Sequence, residues 1–258
     1  MNYIKISLPV PLDFPDEWYD YGNSAHFWMT WRLKVFQKLL DDLGVPTQKP
    51  LRVLEAGCGR GILRSEIERI TQWTVDGADI NETALRRAVP GRGRTLLYNL
   101  YDRNPDFHDT FDGIVLFDVV EHVQEPEQFL EAASWHLKPG GWLAINVPAL
   151  MALYSRYDEI EGHFRRYDTR SARDLLRRVS PTLDPIEMRY WGFLLLPIAC
   201  LRKFVCAAVS RDKIVKVGFN PPSQWMNRAL LQLMRLEELC CRRPPLGTSL
   251  MVFARKTR

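Results

Sequence analysis

The sequence predicts the α/β fold class: one domain over residues 1–258, built on a mostly parallel sheet of seven strands with helices on both faces and a helical insertion before the last strand. Two observations carry this. Between residues 51 and 148 short apolar runs alternate with segments of helical apolar spacing, the pattern of successive βα units. The first run also ends in a turn containing Gly57, Gly59 and Gly61, followed at once by a helical segment, which is how a nucleotide-type sheet opens.

Residues 18–40 read as an aromatic-rich approach and then a helix, because Phe27, Trp31, Val35, Leu39 and Leu40 share an apolar face. Gly44 and Pro46 stop it, giving an N-terminal cap over residues 1–45. Residues 51–56 are the first strand and 62–70 the first core helix. Strands follow at 73–80, 94–98, 111–117 and 142–147, with helices at 82–89 and 126–137. Lys138, Pro139, Gly140 and Gly141 separate the last of these helices from its strand, closing a cofactor-binding core over 51–148. After Pro148 the chain turns polar, aromatic and basic, the composition of a lid over 149–170. A helix over 171–179 and strands over 186–191 and 249–254 complete the sheet. The insertion, 192–247, has helical spacing at Leu230, Leu233, Met234 and Leu236 and is read as helices packed on the sheet or on a second copy in a homodimer.

With 46% hydrophobic and 26% charged residues and no internal repeat, the chain has the composition of an ordinary globular protein. A formal charge of +4 is too small to argue for nucleic acid, and no groove-reading motif accompanies it. From Arg202 onward Lys and Arg outnumber Asp212, Glu237 and Glu238, a basic face read first as solvated surface. The five cysteines lack zinc spacing and the N-terminus lacks the order of a secretory leader, so a reducing cytoplasm is the expectation. The most apolar stretch, 191–209, is interrupted by Pro197, Arg202 and Lys203; residues 191–213 would touch a membrane peripherally rather than cross it.

Glu55 stands at the carboxyl end of the first strand, just before the glycines, where open parallel sheets bind ligands. A dinucleotide-binding turn also begins this way, but here the third glycine comes one residue early. A carboxylate at Glu55 would repel a pyrophosphate, whereas it suits the cationic methionyl end of S-adenosylmethionine (SAM). Asp79, about twenty residues on, is placed to accept from ribose hydroxyls, with a helix-capping role before Asn81 as the alternative.

The segments VLEAGCGRG, GADI, FDGIVLFDVVEH and HLKPGGWLAINVP resemble, in order, the motifs of class I SAM-dependent methyltransferases. AHFWMTWR, YSRYDEIEGHFRRYD and PPLGTSLMVFARK extend the resemblance to a bacterial subfamily, similar to methyltransferase types 11 and 12, whose acceptors are unassigned. The resemblance implies a Rossmann-like methyltransferase fold, SAM as cofactor and S-adenosylhomocysteine as product. It implies Glu55, Gly57, Cys58 and Gly59 around the methionyl part, Asp79 and Ile80 at the ribose, Asn99 and Leu100 near the adenine, and Phe117 and Asp118 on the floor by the sulfonium. The family often has Asp where this chain has Asn99, whose amide oxygen can still accept.

Asp118, Glu121 and His122 share one face if a helical turn begins directly after the strand. His122 is the first choice for general base, assisted by Glu121 and a lid His163; the alternative is a histidine held by Glu121 to fix the loop. The spacing is also similar to that of metal-assisted O-methyltransferases of ubiquinone synthesis and of small-RNA 3′ ends. In that secondary reading Asp118, Glu121, His122 and His163 would hold a divalent ion, which is not the primary expectation because metal-free relatives share the Glu-His pair. Arg165 and Arg166, with Tyr167, would clamp an anionic acceptor, or else pin the lid to Asp158, Glu159 or Glu161. His26, Trp28 and Arg32 would close the pocket from the N-terminal side, with core packing as the alternative. The expected function is methyl transfer to an oxygen of a small, anionic or lipid-linked acceptor. A non-catalytic SAM-binding regulator and an RNA 2′-O-methyltransferase are the alternatives.

Overall fold

The computed structural model of the chain describes residues 3–10, 26–179, 183–209 and 223–257. In chain order its elements are β1 (Ile4–Lys5), α1 (Phe27–Asp42), β2 (Arg52–Ala56), α2 (Ile62–Ile70), β3 (Thr74–Asp79), α3 (Glu82–Arg86), β4 (Thr95–Leu97), β5 (Phe111–Phe117), α4 (Pro126–His136), β6 (Leu137–Pro148), α5 (Arg156–Ile160), α6 (Thr169–Val179), β7 (Leu183–Trp191), α7 (Leu196–Ala208), α8 (Gln224–Cys240) and β8 (Ser249–Lys256). They form one eight-stranded sheet in the order β1-β4-β3-β2-β5-β6-β8-β7. Pairing is parallel from β1 through β6, and antiparallel where β8 joins β6 and β7.

The expected seven strands become eight through β1, whose two exposed residues pair with Leu96 and Leu97 and are too few to show any alternation. The punctuation at 138–141 also reads differently. Leu137 already pairs with Phe111, a bulge follows, and Trp142 pairs with Gly113, so Gly140 and Gly141 lie inside β6. The insertion contains α7 and α8; residues 210–222 between them, and 18–25 of the aromatic approach, lie outside the described residues.

Strands buried on both faces read as unbroken apolar runs, and β5 shows why. Ile114 and Leu116 enter a core beneath α4 and α6, while Val115 and Phe117 enter a second core beneath α1 and α2. In the second, Phe36 of α1 meets Phe117 edge-on at 5.3 Å and stacks on Phe253 at 5.8 Å. Polar groups pin the loop that leads into β4. Buried Glu68 accepts from Val75 and Gly93 at 2.9 Å and from Arg92 at 2.6 Å, and buried Arg64 donates to the carbonyls of Arg94 and Val89 at 2.8 Å.

His136 closes α4 in the first core, fully buried, with Nδ1 2.6 Å from the Ala132 carbonyl and Nε2 2.7 Å from the Tyr98 hydroxyl. An imidazole that donates from Nδ1 and accepts at Nε2 satisfies both partners only while neutral. Burial, with smaller contributions from nearby cations, pushes its pKa down to about 4. A ¹⁵N-detected titration should therefore find His136 neutral throughout the range where a free histidine titrates. A midpoint near the ordinary value of about 6.5 would contradict this packing.

Candidate active site

The carboxyl ends of β2, β3, β4 and β5 line one edge of the sheet, where ligands of open α/β folds bind. The turn after β2 is the tightest part of this edge. Gly57 has φ +74°, and a Cβ there would lie 2.5 Å from Cγ2 of Val119, so only glycine brings the backbone this close to the β5 turn. Asp79 ties the turn down: its Oδ2 accepts from the Gly59 amide at 2.7 Å and its Oδ1 from Asn81 at 2.8 Å. Ile80 lies between that carboxylate and Asn81, which caps α3. Burial raises the Asp79 pKa, and the amides of Asn81, Gly59 and Ile80 oppose the rise.

Glu55 is buried behind the glycines with Oε2 lacking a hydrogen-bond partner among the described residues. Burial pushes its pKa up to about 8, while Arg64 and Arg32 pull it down. A cationic group arriving here would meet an orphaned acceptor, which is the feature expected of a site for an ammonium. Cys58 beside it is buried and its thiol is pushed well up by that burial, so it packs rather than reacts. At the end of β4, Asn99 donates its amide to Ser7 Oγ at 2.8 Å and accepts from Tyr101 at 3.1 Å through Oδ1. Leu100 is buried beside it.

Asp118 departs from the expected geometry. It takes φ +57° instead of beginning a helical turn, and the turn Val120–His122 starts after it. Its carboxylate forms an ion pair with Arg32 and accepts from the Asn146 side chain at 2.7 Å, while its amide donates to the Asn146 carbonyl at 2.9 Å. The Arg32 guanidinium also lies 5.3 Å above the Phe117 ring. Asp118 is thus held by Arg32 and Asn146; its charge reaches Glu121 and His122, but the ligand atoms that converge are those of Glu121, His122 and His163. Asn146, which also accepts from Trp191 Nε1 at 3.0 Å, was not singled out from sequence; its only signal is a lone amide inside the apolar run of β6.

Glu121, His122 and His163 do converge, each offering a ligand atom within 4.8 Å of the others. The two imidazole rings meet edge to face at 4.7 Å, and the lid is held to the turn by the Phe164 amide donating to the Glu121 carbonyl at 2.8 Å. Glu121 is almost fully buried, with Oε2 lacking a partner among the described residues; burial, then Asp118 and Glu161, hold its pKa well above the ordinary value. Burial, then the neighbouring His163, brings His122 down to about 4. His163 is oriented by Asp158 Oδ1, 3.0 Å from Nδ1, and its Nε2 lies 3.4 Å from Glu161.

The lid arginines divide. Arg166 is buried, donating from Nε to Asp158 at 2.7 Å and from Nη1 to the Ala149 carbonyl at 3.2 Å. It therefore pins the lid, and the acceptor clamp expected of it is corrected: its guanidinium is already committed. Burial alone would raise Asp158, but the hydrogen bond from His163 and the charge and hydrogen bond of Arg166 bring it down to about 2. Arg165 is partly exposed and donates to the Gln124 carbonyl at 2.9 Å. Tyr167 of the lid is buried, its amide donating to the Pro148 carbonyl at 3.0 Å. On the other side Trp28 packs on Trp191 at 4.4 Å, and His26 caps α1 by accepting from the Trp28 amide.

Residues 28–180 match a family described as a methyltransferase domain. Over 108 residues the chain is 33% identical to the ubiquinone biosynthesis O-methyltransferase of Thiobacillus denitrificans, a match covering 38% of this chain and 46% of that protein. The chain spans about half the length of the curated relatives it matches. Among solved structures it is similar to a complex of the Haloferax volcanii Trm112 methyltransferase activator with its methyltransferase, with TM-score 0.60 and 16% identity over 95% of this chain and 100% of that one. It is also similar to a SAM-dependent methyltransferase from Archaeoglobus fulgidus, with TM-score 0.52 and 16% identity over 86% and 94% of the two chains. These structural likenesses establish the Rossmann-like methyltransferase fold. With more than half of its length matched and the cofactor edge built as described, the protein belongs to the methyltransferase-domain family.

Proposed function

We propose that this chain is a SAM-dependent methyltransferase acting on an oxygen of a small-molecule acceptor. The observation that carries the choice of oxygen is the convergence of Glu121, His122 and His163 beside the β5 end of the cofactor edge. An oxygen nucleophile needs help to lose its proton, and this is where ionisable groups gather. The O-methyltransferase name of the relative supports the same reading.

SAM supplies a methyl carbon already activated by its sulfonium. The chain's residues have the remaining tasks. Glu55 offers its unpartnered oxygen to the amino group, the glycine turn leaves room for the methionyl part, and Asp79 faces the ribose from the end of β3. Alignment of acceptor oxygen and methyl carbon then supplies much of the rate.

His122 fits poorly as an unaided base. Burial and the neighbouring His163 hold its pKa down to about 4, well below the range in which a general base works best. The same neutral imidazole is well suited to hold a metal, and Glu121 Oε2 is an orphaned acceptor within the same cluster. Glu121, His122 and His163 therefore fit a divalent ion, which when bound would lower the pKa of an acceptor hydroxyl. Asp158 behind His163 provides the carboxylate that commonly orients a ligating imidazole.

Titration calorimetry with SAM, S-adenosylhomocysteine and NAD, with and without Mg²⁺ or Zn²⁺, tests both parts. The two SAM species should bind and NAD should not. Ion binding should weaken by at least about tenfold in Glu121→Gln. NAD binding would overturn the cofactor reading. Ion affinity unchanged in Glu121→Gln, together with turnover on identified acceptors unaffected by EDTA, would return the cluster to acid-base chemistry alone.

A further inference from the structure

Helix α7 turns Ala199, Lys203 and Cys206 toward the lid, where Cys206 is buried against Tyr157 of α5. Its other side faces solvent and is apolar. Ile198, Leu201, Phe204 and Val205 are exposed to 49%, 64%, 72% and 51%, and their spacing makes them one stripe along the helix. Met151, in the turn on which α7 rests, is also exposed. Scattered apolar residues on a surface need no explanation, but a helix whose whole outer stripe is Ile, Leu, Phe and Val does.

The charges carried by α7 itself have one sign, although Glu159 is exposed on the neighbouring α5. Between Met188 and Arg211 the sequence contains no Asp or Glu. Arg202 lies over the Tyr157 ring at 4.3 Å, Lys203 donates to the Ala152 carbonyl at 2.7 Å, and Arg156 donates to the Val209 carbonyl at 3.2 Å, so three cations border the helix. A second copy docking through the same face would set this acid-free, basic helix against itself. An anionic headgroup layer complements both the stripe and its border. A helix of 13 residues is too short to span a bilayer, and no helix among the described residues is long and apolar enough to cross one.

We propose that the outer face of α7 docks in the plane of an anionic lipid bilayer. This narrows the peripheral contact expected of residues 191–213. Trp191 and Leu195 are buried in the core, and 210–213 lie outside the described residues. The surface is separate from the proposed chemistry and stands or falls apart from it.

Co-sedimentation of the full chain with vesicles tests the docking. The chain should bind phosphatidylglycerol/phosphatidylcholine vesicles at least about tenfold more tightly than pure phosphatidylcholine. The double variant Leu201→Glu/Phe204→Glu should lose most of that binding, by about a hundredfold. Both side chains are solvent-exposed, so circular dichroism and SAM calorimetry should be unchanged and would separate a lost surface from a lost fold. A wild-type chain that stays in the supernatant with anionic vesicles would overturn the proposal, as would vesicle binding undiminished in the double variant. A dimer seen by light scattering and dissolved by the same substitutions would assign the face to self-association instead.

Discussion

Replacing Asp79 with alanine should weaken SAM binding by at least about a hundredfold, ~2.7 kcal/mol. Two losses add. The ligand loses a carboxylate acceptor for its ribose, and charge-assisted hydrogen bonds contribute about 1.5–3 kcal/mol. The glycine turn also loses its tether, since the same carboxylate holds the amides of Gly59 and Asn81. Asp79→Asn keeps one oxygen and should fall between. The measurement is calorimetry on variants whose circular dichroism matches wild type. A dissociation constant within about threefold of wild type, or under ~0.7 kcal/mol, would remove Asp79 from the cofactor site.

The largest loss of stability is expected from Gly93→Ala. A Cβ at Gly93 would lie 2.0 Å from the Val75 carbonyl oxygen and 2.7 Å from the Asp76 amide nitrogen. Both are backbone atoms of β3, a strand paired on both sides, so neither can withdraw. The loop cannot shift either, because Glu68 holds Gly93 and Arg92 while Arg64 holds Val89 and Arg94. A clash with no route of escape belongs to the severe class, about 4 kcal/mol or more. The melting temperature should fall by about 10 °C. Gly140→Ala is the control: its φ of +77° is strained for alanine, but nothing lies within 4 Å, so the cost should stay near ~1 kcal/mol. Equal melting of the two variants would mean that the approach to Val75 is looser than described.

What the sequence made legible followed from period and position. The central strands could be read because each is buried on both faces, and the places of Glu55 and Asp79 at the carboxyl ends of β2 and β3 because each closes such a run. The pair Glu121 and His122 was legible because it is local. What remained hidden depends on contacts between distant segments. Asp118 takes φ +57° with its carboxylate held by Arg32 of α1 and Asn146 of β6, and neither lies near it in sequence. Arg166 looked free beside Arg165 because nothing local shows that Asp158 lies folded beneath it. The two-residue β1 could not be read because two residues carry no period.

Helix α1 is fastened by the insertion: the Phe27 amide donates to Asn227 at 2.7 Å, and Lys34 and Lys38 pair with Glu238. Glu237, the residue before it, receives the amides of Gly192 and Leu194 at 2.9 Å and roots α8 at the end of β7. Because translation runs from the amino end, α1 emerges 200 residues ahead of the asparagine that anchors it. Until then the amino end of α1, which carries Arg32 to the Asp118 carboxylate, lacks its hydrogen bond to α8. The setting of Arg32 beside Asp118 is therefore supported by a helix that lies far behind both in the chain. A chain cut before α8 would keep the glycine turn and β5 yet lose the contacts of Asn227 and Glu238 to α1, so that the seating of α1 reports on a contact made across 200 residues.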